Sequence, residues 1–442
     1  MEIHPAHVAC VIGGGIAGSE AAARLAERKI HCAVFEMEAL PYGKIELGLP
    51  KWHAKQRDQE ERKIDQNLDD PYIHYVPCTR LGEDITLEEI LSWGFSTTLL
   101  AVGAWRDRPL SVAGIDEFQG KGFHYQNPFV AWFNQCHEPD YQGPRIELCD
   151  DAMVIGGGLA SIDVVKILML GLTQEALQKR GVETDLLTME KKGIPRTLES
   201  LGISWQELSL KGCTLYYRRR AQDMPLVPLE GSVDPEREEK ARQVREKVLD
   251  NARAKYLFEF QPCRLPVDMV VEGNHIAGLI FQRTRVTEDG VERLPGTENT
   301  VRSRMVISSI GSLPELIPGV PTERELYQIE NEETGKLVGF EGVFALGNAV
   351  TGRGNIRASR LHARQVSEWV MDNYLGWSMN DGERLIQALE SRQVVGTDHN
   401  LLNPDQIEEI LGNVTRCQHR AGYDGNYRRW IEGHLPVRLE NL

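Results

Sequence analysis

Two short apolar runs in the chain are each followed by a glycine-rich turn and then by a stretch of helical period. The first run covers residues 8–12, with a predicted helix at 19–27, and the second covers 152–155, with a predicted helix at 162–170. A continuous apolar run bounded by a turn is typical of a strand buried on both faces of a parallel sheet. The pattern therefore predicts two strand–turn–helix units. The segments between them do not resemble one another, which argues against a repeat array.

The first turn carries Gly13, Gly15 and Gly18 directly between the predicted strand and helix. In this context the first glycine permits a tight turn, the second lets the backbone approach a pyrophosphate, and the third lets helix and strand pack closely. Glu36 ends the next apolar run, where a carboxylate can accept hydrogen bonds from both hydroxyls of a ribose. The spacing predicts a dinucleotide with an unphosphorylated ribose, and a glycine turn that binds nothing is the alternative.

The second turn carries Gly156 and Gly158, with Ser161 in place of the third glycine. At the end of the next apolar run, three arginines at 218–220 stand where the first unit has its acid. Guanidinium groups bind a 2′-phosphate bidentately, whereas a carboxylate at that place would repel it. The second unit is therefore predicted to prefer NADP over NAD. A solvated turn is the alternative interpretation of the arginines.

A third turn begins at Gly347 and continues through 351–357 into a predicted helix. Backbone N–H groups at this helix start would face the electron-rich edge of a flavin ring and favour its anionic reduced form. Two further apolar strands, at 97–104 and 305–312, end in small residues, as needed where a chain passes close under a nucleotide. Together these features indicate FAD as the nucleotide of the first unit.

These units predict an α/β fold with two Rossmann-like dinucleotide-binding domains of the glutathione-reductase type, the NADP-binding domain being inserted into the FAD-binding domain. We expect the FAD-binding domain to comprise residues 1–125 and 331–378, and the NADP-binding domain to comprise 126–330. Residues 379–442 are polar, highly charged and match no motif. They are predicted to form a C-terminal helical extension that packs on the body of the chain or on a partner.

Composition narrows the function classes. The 442 residues exceed what one core needs, and no apolar run approaches the roughly 18 residues of a membrane span. The first nine residues lack the features of a signal peptide, so we expect a cytoplasmic protein. A net charge of −15 argues against nucleic-acid binding. Eight cysteines without any CxxC pair argue against a redox dithiol and an intrinsic metal or iron–sulfur site.

Four segments add specificity to the glycine pattern: PYGKIELGLPKWH at 41–53, FVAWFN at 129–134, GGGLASIDVVKIL at 156–168, and YRR followed by MP at 217–225. With them the chain resembles the adrenodoxin reductase branch of the ferredoxin–NADP reductases, which is related to the small subunit of glutamate synthase. The resemblance covers about residues 8 to 375. It implies an enzyme that uses FAD and NADP(H) as cofactors and a ferredoxin or other iron–sulfur protein as partner.

Carried over to matching positions, the resemblance implies FAD contacts at Ala17, Glu36, Lys44, Asn348, Asn355, Ile356 and Arg357. It implies NADP contacts at Gly157, Gly158, Leu159, Ala160, Arg218, Arg219 and Glu230. It also puts His53 beside the flavin, where we hypothesise a catalytic role in proton balance, with a structural histidine as the alternative. The family usually has Trp at position 348 and Gly-Val-Ile at 355–357, so the outer environment of the flavin is atypical here.

We therefore predict hydride transfer between NADP(H) and FAD, and single-electron transfer between FAD and an iron–sulfur protein. Four arginines near the third turn are predicted to dock an acidic partner, unless they pair internally: Arg353, Arg357, Arg360 and Arg364. Two other functions remain open. One is an FAD-bearing adaptor subunit of a larger oxidoreductase complex, and the other is a flavin monooxygenase. Disulfide reduction is the weakest candidate because no paired cysteines are present.

Overall fold

The computed structural model describes residues 6–139, 141–227, 234–352, 355–378, 380–381, 383–384 and 401–438. Contacts divide the described chain into two compact units. The first unit comprises the described residues of 1–49, 54–106 and 312–441, and the second comprises 50–53 and 107–311. The second unit is therefore inserted into the sequence of the first.

The strands, in chain order, are β1 (Val8–Ile12), β2 (His31–Phe35), β3 (Ile73–Val76), β4 (Thr97–Leu100), β5 (Arg106–Asp107), β6 (Phe123–Tyr125), β7 (Ala152–Gly156), β8 (Cys213–Tyr216), β9 (Glu259–Gln261), β10 (Arg264–Glu272), β11 (His275–Thr287), β12 (Gly290–Arg293), β13 (Asn299–Arg302), β14 (Val306–Ser309), β15 (Ser312–Leu313), β16 (Thr322–Glu323), β17 (Leu326–Tyr327) and β18 (Val343–Ala345).

The helices, in chain order, are α1 (Ile16–Glu27), α2 (Lys44–Leu47), α3 (Ala54–Leu68), α4 (Leu87–Ser92), α5 (Gln126–Gln135), α6 (Leu159–Lys179), α7 (Leu186–Lys192), α8 (Ile194–Leu201), α9 (Pro235–Tyr256), α10 (Asn348–Thr351), α11 (Ile356–Trp369), α12 (Pro404–Arg420) and α13 (Tyr427–His434). A π-helical turn, Val370–Tyr374, continues α11. No helix in the described ranges is both long enough and apolar enough to cross a membrane.

The first unit contains a five-stranded sheet in the order β18-β4-β1-β2-β3, and all its strand pairs are parallel. Every residue of the central strand β1 is buried, which explains its uninterrupted apolar sequence. Helix α1 follows β1 directly and buries Ala17, Ala21, Ala22 and Leu25 in the same core. The predicted strand is confirmed. The helix begins at Ile16, three residues earlier than expected, because the helical backbone starts immediately after the glycine turn.

The second unit contains a second five-stranded sheet, in the order β6-β14-β7-β8-β9, again with parallel pairs. An antiparallel sheet of β10, β11, β12 and β13 lies in the chain between β9 and β14. The expected domain limits at 125 and 330 differ from the unit limits. Strand β6 pairs with β14 and residues 107–125 belong to the second unit, and the chain rejoins the first unit at 312.

The described part of the C-terminal extension is helical and packs on the first unit. Asn403 caps α12 in a reciprocal capping box with Gln406, and Asn426 caps α13. Cys417 lies in one core cluster of this unit, and Tyr427 lies in another. The extension is therefore part of the body of the chain, which was one of the two placements that the sequence left open.

Candidate functional site

The first glycine turn joins β1 to α1 in a space that excludes side chains. Gly13 has φ +99°, and a Cβ atom there would lie 2.6 Å from the Ala101 carbonyl oxygen. A Cβ atom at Gly18 would lie 1.7 Å from the carbonyl oxygen of Gly13. Two glycines of the predicted pattern are therefore required by direct backbone contact between the turn, the helix and the neighbouring strand.

Helix α1 starts at this turn without a capping side chain. Its N-cap residue is Gly15, and no side-chain hydrogen bond caps the helix among the described residues. The first N–H groups of a helix have no partner within the helix, and the helix dipole favours an anion at this end. The helix start is thus suited to a pyrophosphate.

Glu36 follows β2 and is held against the same turn. Its two carboxylate oxygens accept hydrogen bonds from the backbone N–H groups of Gly14, at 2.8 Å, and Glu38, at 3.1 Å. The side chain is buried, and burial raises the pKa of the Glu36 carboxyl to about 7. Further hydrogen-bond donors, such as ribose hydroxyls, would stabilise the ionised form. The position and chemistry of Glu36 fit the predicted ribose contact.

The third glycine turn meets the first helix. Gly347 has φ +70°, and a Cβ atom there would lie 2.5 Å from the Cβ atom of Ala17. The Gly347 N–H donates to Nδ1 of buried His362 at 3.0 Å, and Nε2 of that ring contacts the Glu332 carbonyl oxygen at 2.7 Å. An Nδ1 that accepts requires the proton on Nε2, which then donates to Glu332. The sequence alone indicated no role for this histidine, because its partners lie 15 and 30 residues away in the chain.

Around the start of α11, the predicted flavin contacts occupy different environments. Asn348 begins α10, and Asn355 caps α11 by accepting from the Ala358 N–H at 2.7 Å. Ile356 packs against the core of the first unit, whereas Arg357 is exposed. One N–H group that we expected to face the flavin is therefore already satisfied by the Asn355 side chain.

Two of the arginines predicted to dock a partner pair within the chain instead. Arg364 donates twice to Glu20, at 2.8 and 3.0 Å, and Arg360 bonds to Glu60. Glu20 is buried on α1, so the Arg364 pair fastens α11 to α1. The internal pairing that the sequence left open is thus observed for both residues. Arg353 lies outside the described residues.

Lys44 lies at the start of α2 in the first unit. Its Nζ donates to the Ser312 hydroxyl at 3.0 Å and lies 5.7 Å from the centre of the Trp105 ring. Pro41, three residues earlier, contacts the first turn, because a Cβ atom at Gly14 would lie 2.9 Å from the Pro41 Cβ atom. Residues 36–46 therefore lie along one side of the space next to the first glycine turn. We call this space the first nucleotide cradle and residues 36–46 its wall.

The second glycine turn, between β7 and α6, is also closely packed, but a tyrosine ring and a serine are among its neighbours. A Cβ atom at Gly156 would lie 2.4 Å from the Ser309 carbonyl oxygen, and one at Gly157 would lie 2.2 Å from a ring carbon of Tyr217. Ser161, in the third position, is fully buried, and its hydroxyl donates to the Gly158 carbonyl at 2.6 Å. The serine that replaces the third glycine therefore fits into the close contact between helix and strand.

The start of α6 is also open to a ligand. Gly158 is its N-cap residue, and within the described chain no side chain caps the helix. Leu159 is 56% exposed, and Ala160 is exposed as well. An exposed leucine in the first turn of a helix otherwise buried along most of its length is suited to contact a bound molecule.

The three arginines that follow β8 are not equivalent. The Arg220 guanidinium donates to both carboxylate oxygens of Asp223, at 2.8 and 3.0 Å. The Arg218 and Arg219 guanidinium groups form no ion pair or hydrogen bond within the described part of the chain. Two guanidinium groups are thus available for a phosphate. Glu230, the remaining predicted NADP contact, lies outside the described residues.

His53 belongs to the second unit, in a 3₁₀ turn over Lys51–His53. Its Nε2 lies 3.4 Å from Oδ1 of Asp163 on α6, and the Trp52 indole N–H donates to the same oxygen at 3.2 Å. Lys166, one helical turn further along, lies 3.6 Å from that oxygen and 4.3 Å from the Trp52 ring centre. This lysine was not among the predicted site residues, although its i, i+3 spacing from Asp163 was a usable signal.

Known proteins share this architecture. Residues 7–189 match the family model described as pyridine nucleotide-disulphide oxidoreductase. The chain is 23% identical over 448 residues to the mitochondrial NADPH:adrenodoxin oxidoreductase of Arabidopsis thaliana, covering 88% of this chain and 87% of that protein. It is 28% identical over 318 residues to the NADPH-Fe(3+) oxidoreductase subunit beta of Geobacter sulfurreducens, covering 69% of this chain but 37% of that subunit.

The solved structure of FprA from Mycobacterium tuberculosis in complex with NADPH matches with a TM-score of 0.66 and 18% identity, covering 94% of this chain and 91% of that chain. A second FprA structure, the His57Gln mutant, matches with a TM-score of 0.67 and 18% identity, at the same coverage. These matches confirm the α/β fold that the sequence predicted.

Proposed function

We propose that this chain, a homologue of the NADPH:adrenodoxin oxidoreductases among the two-dinucleotide-binding-domain flavoproteins, is an FAD-dependent enzyme that oxidises NADPH and reduces an iron–sulfur protein. One observation carries the proposal, namely the contrast between its two nucleotide cradles. In the first, the buried carboxylate of Glu36 faces the glycine turn. In the second, Arg218 and Arg219 follow the equivalent strand. A bare ribose suits the first cradle, and a 2′-phosphate suits the second.

Bound FAD would supply the chemistry that accepts a hydride and releases electrons singly. The residues of this chain bind and orient the two nucleotides. Gly13 and Gly18 let the turn, the strand and the helix pack closely, Gly15 would let the backbone approach the FAD pyrophosphate, and the uncapped start of α1 would stabilise its charge. The uncapped start of α6 would do the same for the phosphates of NADPH. His362 holds the Gly347 N–H and so fixes the third turn against Ala17.

His53 is the candidate for a proton-handling residue, because its Nε2 lies 3.4 Å from Asp163. A carboxylate partner orients an imidazole ring. His53→Gln should slow NADPH oxidation or acceptor reduction while FAD remains bound. Unchanged rates of both steps would leave His53 with a structural role.

The physiological partner is proposed to be a ferredoxin-like protein, since the relatives are named for adrenodoxin and Fe(3+). All eight cysteines lie in the described ranges without a disulfide, which supports a reducing compartment. Because Arg360 and Arg364 are paired internally, they contribute little free charge to docking. A small dependence of ferredoxin reduction on ionic strength would agree with that pairing.

An anaerobic titration tests the proposal. The purified chain should carry FAD, and NADPH should bleach its visible absorption within seconds, whereas NADH should do so far more slowly. A colourless protein that takes up no FAD, or equal bleaching by both nucleotides, would contradict the proposal.

An adaptor subunit is the second candidate, favoured by the likeness to a protein named as a subunit. The chain matches 37% of the length of that relative. NADPH oxidation by the isolated chain with a soluble dye as acceptor would favour the enzyme. FAD binding without any NADPH oxidation would favour the adaptor.

A further inference from the structure

One contact of the described C-terminal segment, residues 401–438, with the wall of the first nucleotide cradle is made at the Ala39 backbone carbonyl. The indole N–H of Trp430 on α13 donates to the Ala39 carbonyl oxygen at 2.8 Å. The Tyr75 hydroxyl donates to the same oxygen at 3.3 Å. Ala39 lies between Glu36 and Pro41, both of which contact the first glycine turn. The carbonyl is therefore held by the extension at the middle of the cradle wall.

The wall is closely packed against the first glycine turn. A Cβ atom at Gly14 would lie 2.9 Å from the Pro41 Cβ atom and 3.6 Å from a ring carbon of Tyr75. The Gly14 N–H also donates to Glu36. Because protein interiors are close-packed, a shift of the Ala39 carbonyl transmits to Gly14 and to the carboxylate that faces the ribose.

Aromatic side chains of the extension surround the tyrosine that shares the Ala39 carbonyl. The rings of Tyr427 and Tyr423 approach the Tyr75 ring edge-on, with centroid distances of 5.3 and 5.9 Å. Trp430 in turn packs edge-on against Tyr423 at 5.5 Å. All three tyrosines are buried. Both donors to the carbonyl are thus fixed by one aromatic cluster that the extension completes.

A second contact holds the other end of the wall. The Arg438 guanidinium donates at 2.8 Å to Glu46 on α2 and at 2.8 Å to Glu61 on α3. Its side chain is 14% exposed, and burial raises the pKa of Glu61. Without the arginine, two neighbouring carboxylates would repel each other in a partly buried place. Arg438 therefore keeps α2, and the Lys44 at its start, in position.

We propose that the C-terminal extension is a positioning element of the FAD cradle, with Trp430 and Arg438 as its positioning residues. The proposal rests on the proposed function, because it takes FAD as the ligand of the first unit. The extension sets how tightly FAD binds by holding the segment from Ala39 to Glu46 at both ends. It leaves the nucleotide of the second unit unaffected.

The test compares two tryptophans that each donate an indole N–H to a backbone carbonyl. Trp430→Phe removes the bond to Ala39, and Trp377→Phe removes the 3.0 Å bond to Arg28, which lies outside the cradle. FAD is titrated into each apoprotein by fluorescence, and the melting temperature of each apoprotein is recorded. We expect Trp430→Phe to weaken FAD binding about fivefold and Trp377→Phe to change it less than twofold.

Arg438→Gln should also weaken FAD binding severalfold, while NADP⁺ binding measured by calorimetry stays the same in all variants. Unchanged FAD affinity in Trp430→Phe and Arg438→Gln would overturn the proposal. Equal loss of FAD affinity in Trp377→Phe and Trp430→Phe would also overturn it, because the effect would then follow stability alone. A wild-type chain that binds no FAD would instead overturn the proposed function, and this inference with it.

Discussion

The two glycine turns occupy equivalent places in the two units and both exclude a side chain at the first glycine, yet they differ at the third position of the pattern. In the first turn a side chain at Gly18 on the helix would meet the Gly13 carbonyl at 1.7 Å. In the second turn Ser161 occupies the helix position, and the restriction falls on Gly156 of the strand, whose Cβ atom would lie 2.7 Å from the Ser161 Cβ atom. A departure from the glycine pattern is therefore tolerated where the opposite residue supplies the space.

The two units also differ in the charged residues that come after the next strand. The first unit has one buried acid, whose two oxygens are already held by backbone N–H groups. The second has two guanidinium groups with no partner among the described residues, beside a third that Asp223 holds. In the proposed function, nucleotide preference would depend on a preorganised buried group in one unit and on unpaired guanidinium groups in the other. Substitutions in the first unit should disturb stability as well as binding.

The largest effect is expected for Gly18→Ala. Because the new methyl group would overlap the Gly13 carbonyl, α1 must move away from β1, at a cost of about 3 kcal/mol or more. The variant should melt at a lower temperature and lose its FAD on gel filtration. Gly412→Ala is the control, because this helical glycine has open space around it and the substitution should be neutral or slightly stabilising. Retention of FAD by Gly18→Ala would contradict the steric argument.

The next largest effect is expected when Arg218 and Arg219 are both replaced by Gln. Loss of two charge-assisted contacts to a 2′-phosphate should raise the KM for NADPH about 100-fold, near 2.7 kcal/mol, and leave the KM for NADH unchanged. Arg220→Gln is the matched control, since its guanidinium is already bound to Asp223. Steady-state kinetics with both nucleotides measures the effect. A loss that is equal for NADH and NADPH would show that the arginines do not read the phosphate.

Glu36→Gln should weaken FAD binding about tenfold, because an amide accepts hydrogen bonds less strongly than a carboxylate. It should also change how the stability of the apoprotein depends on pH. The folded pKa of Glu36 is about 7, above its ordinary 4.5, so the folded apoprotein binds more protons than the unfolded chain between these values.

The contribution of Glu36 to stability is therefore present at acidic pH and is lost as the pH rises through about 7. Between pH 5.5 and pH 8 the loss amounts to about 2 kcal/mol. Urea unfolding of the apoprotein at both pH values measures it, and Glu36→Gln should remove this part of the difference. An identical pH dependence in the variant and the wild type would assign the effect to other groups.

The smallest effect is expected for Ser161→Ala. The substitution removes the hydroxyl that donates to the Gly158 carbonyl and keeps the Cβ atom that already fits beside Gly156. Stability should fall by about 1 kcal/mol, measured by thermal unfolding, with NADP⁺ affinity within twofold of the wild type. A large loss of NADP⁺ affinity would mean that the hydroxyl, and not the available space, explains the serine.

Local sequence patterns were sufficient to predict the features that depend on residues close to one another in the chain. The apolar run of β1, the glycines beside it and the acid after β2 occupy the places predicted from their spacing. The helix starts were placed three residues late, since a glycine-rich segment looks like a loop until the helical hydrogen bonds are seen. The domain limits also differed, because β6 pairs with β14 and places Phe123 opposite Val306, 183 positions along the chain.

By itself, the sequence determined the two glycine turns, the opposite charges that follow the next strand in each unit, and the fold class, because each depends on short-range periodicity and on residues next to a turn. The tertiary structure alone decided which charges remain available and which contacts hold the turns in place. Glu20 holds Arg364 across 344 positions of the chain, Tyr217 covers Gly157, and Trp430 reaches Ala39 across 391 positions. Such contacts depend on how the chain packs in three dimensions, and no local spacing records them.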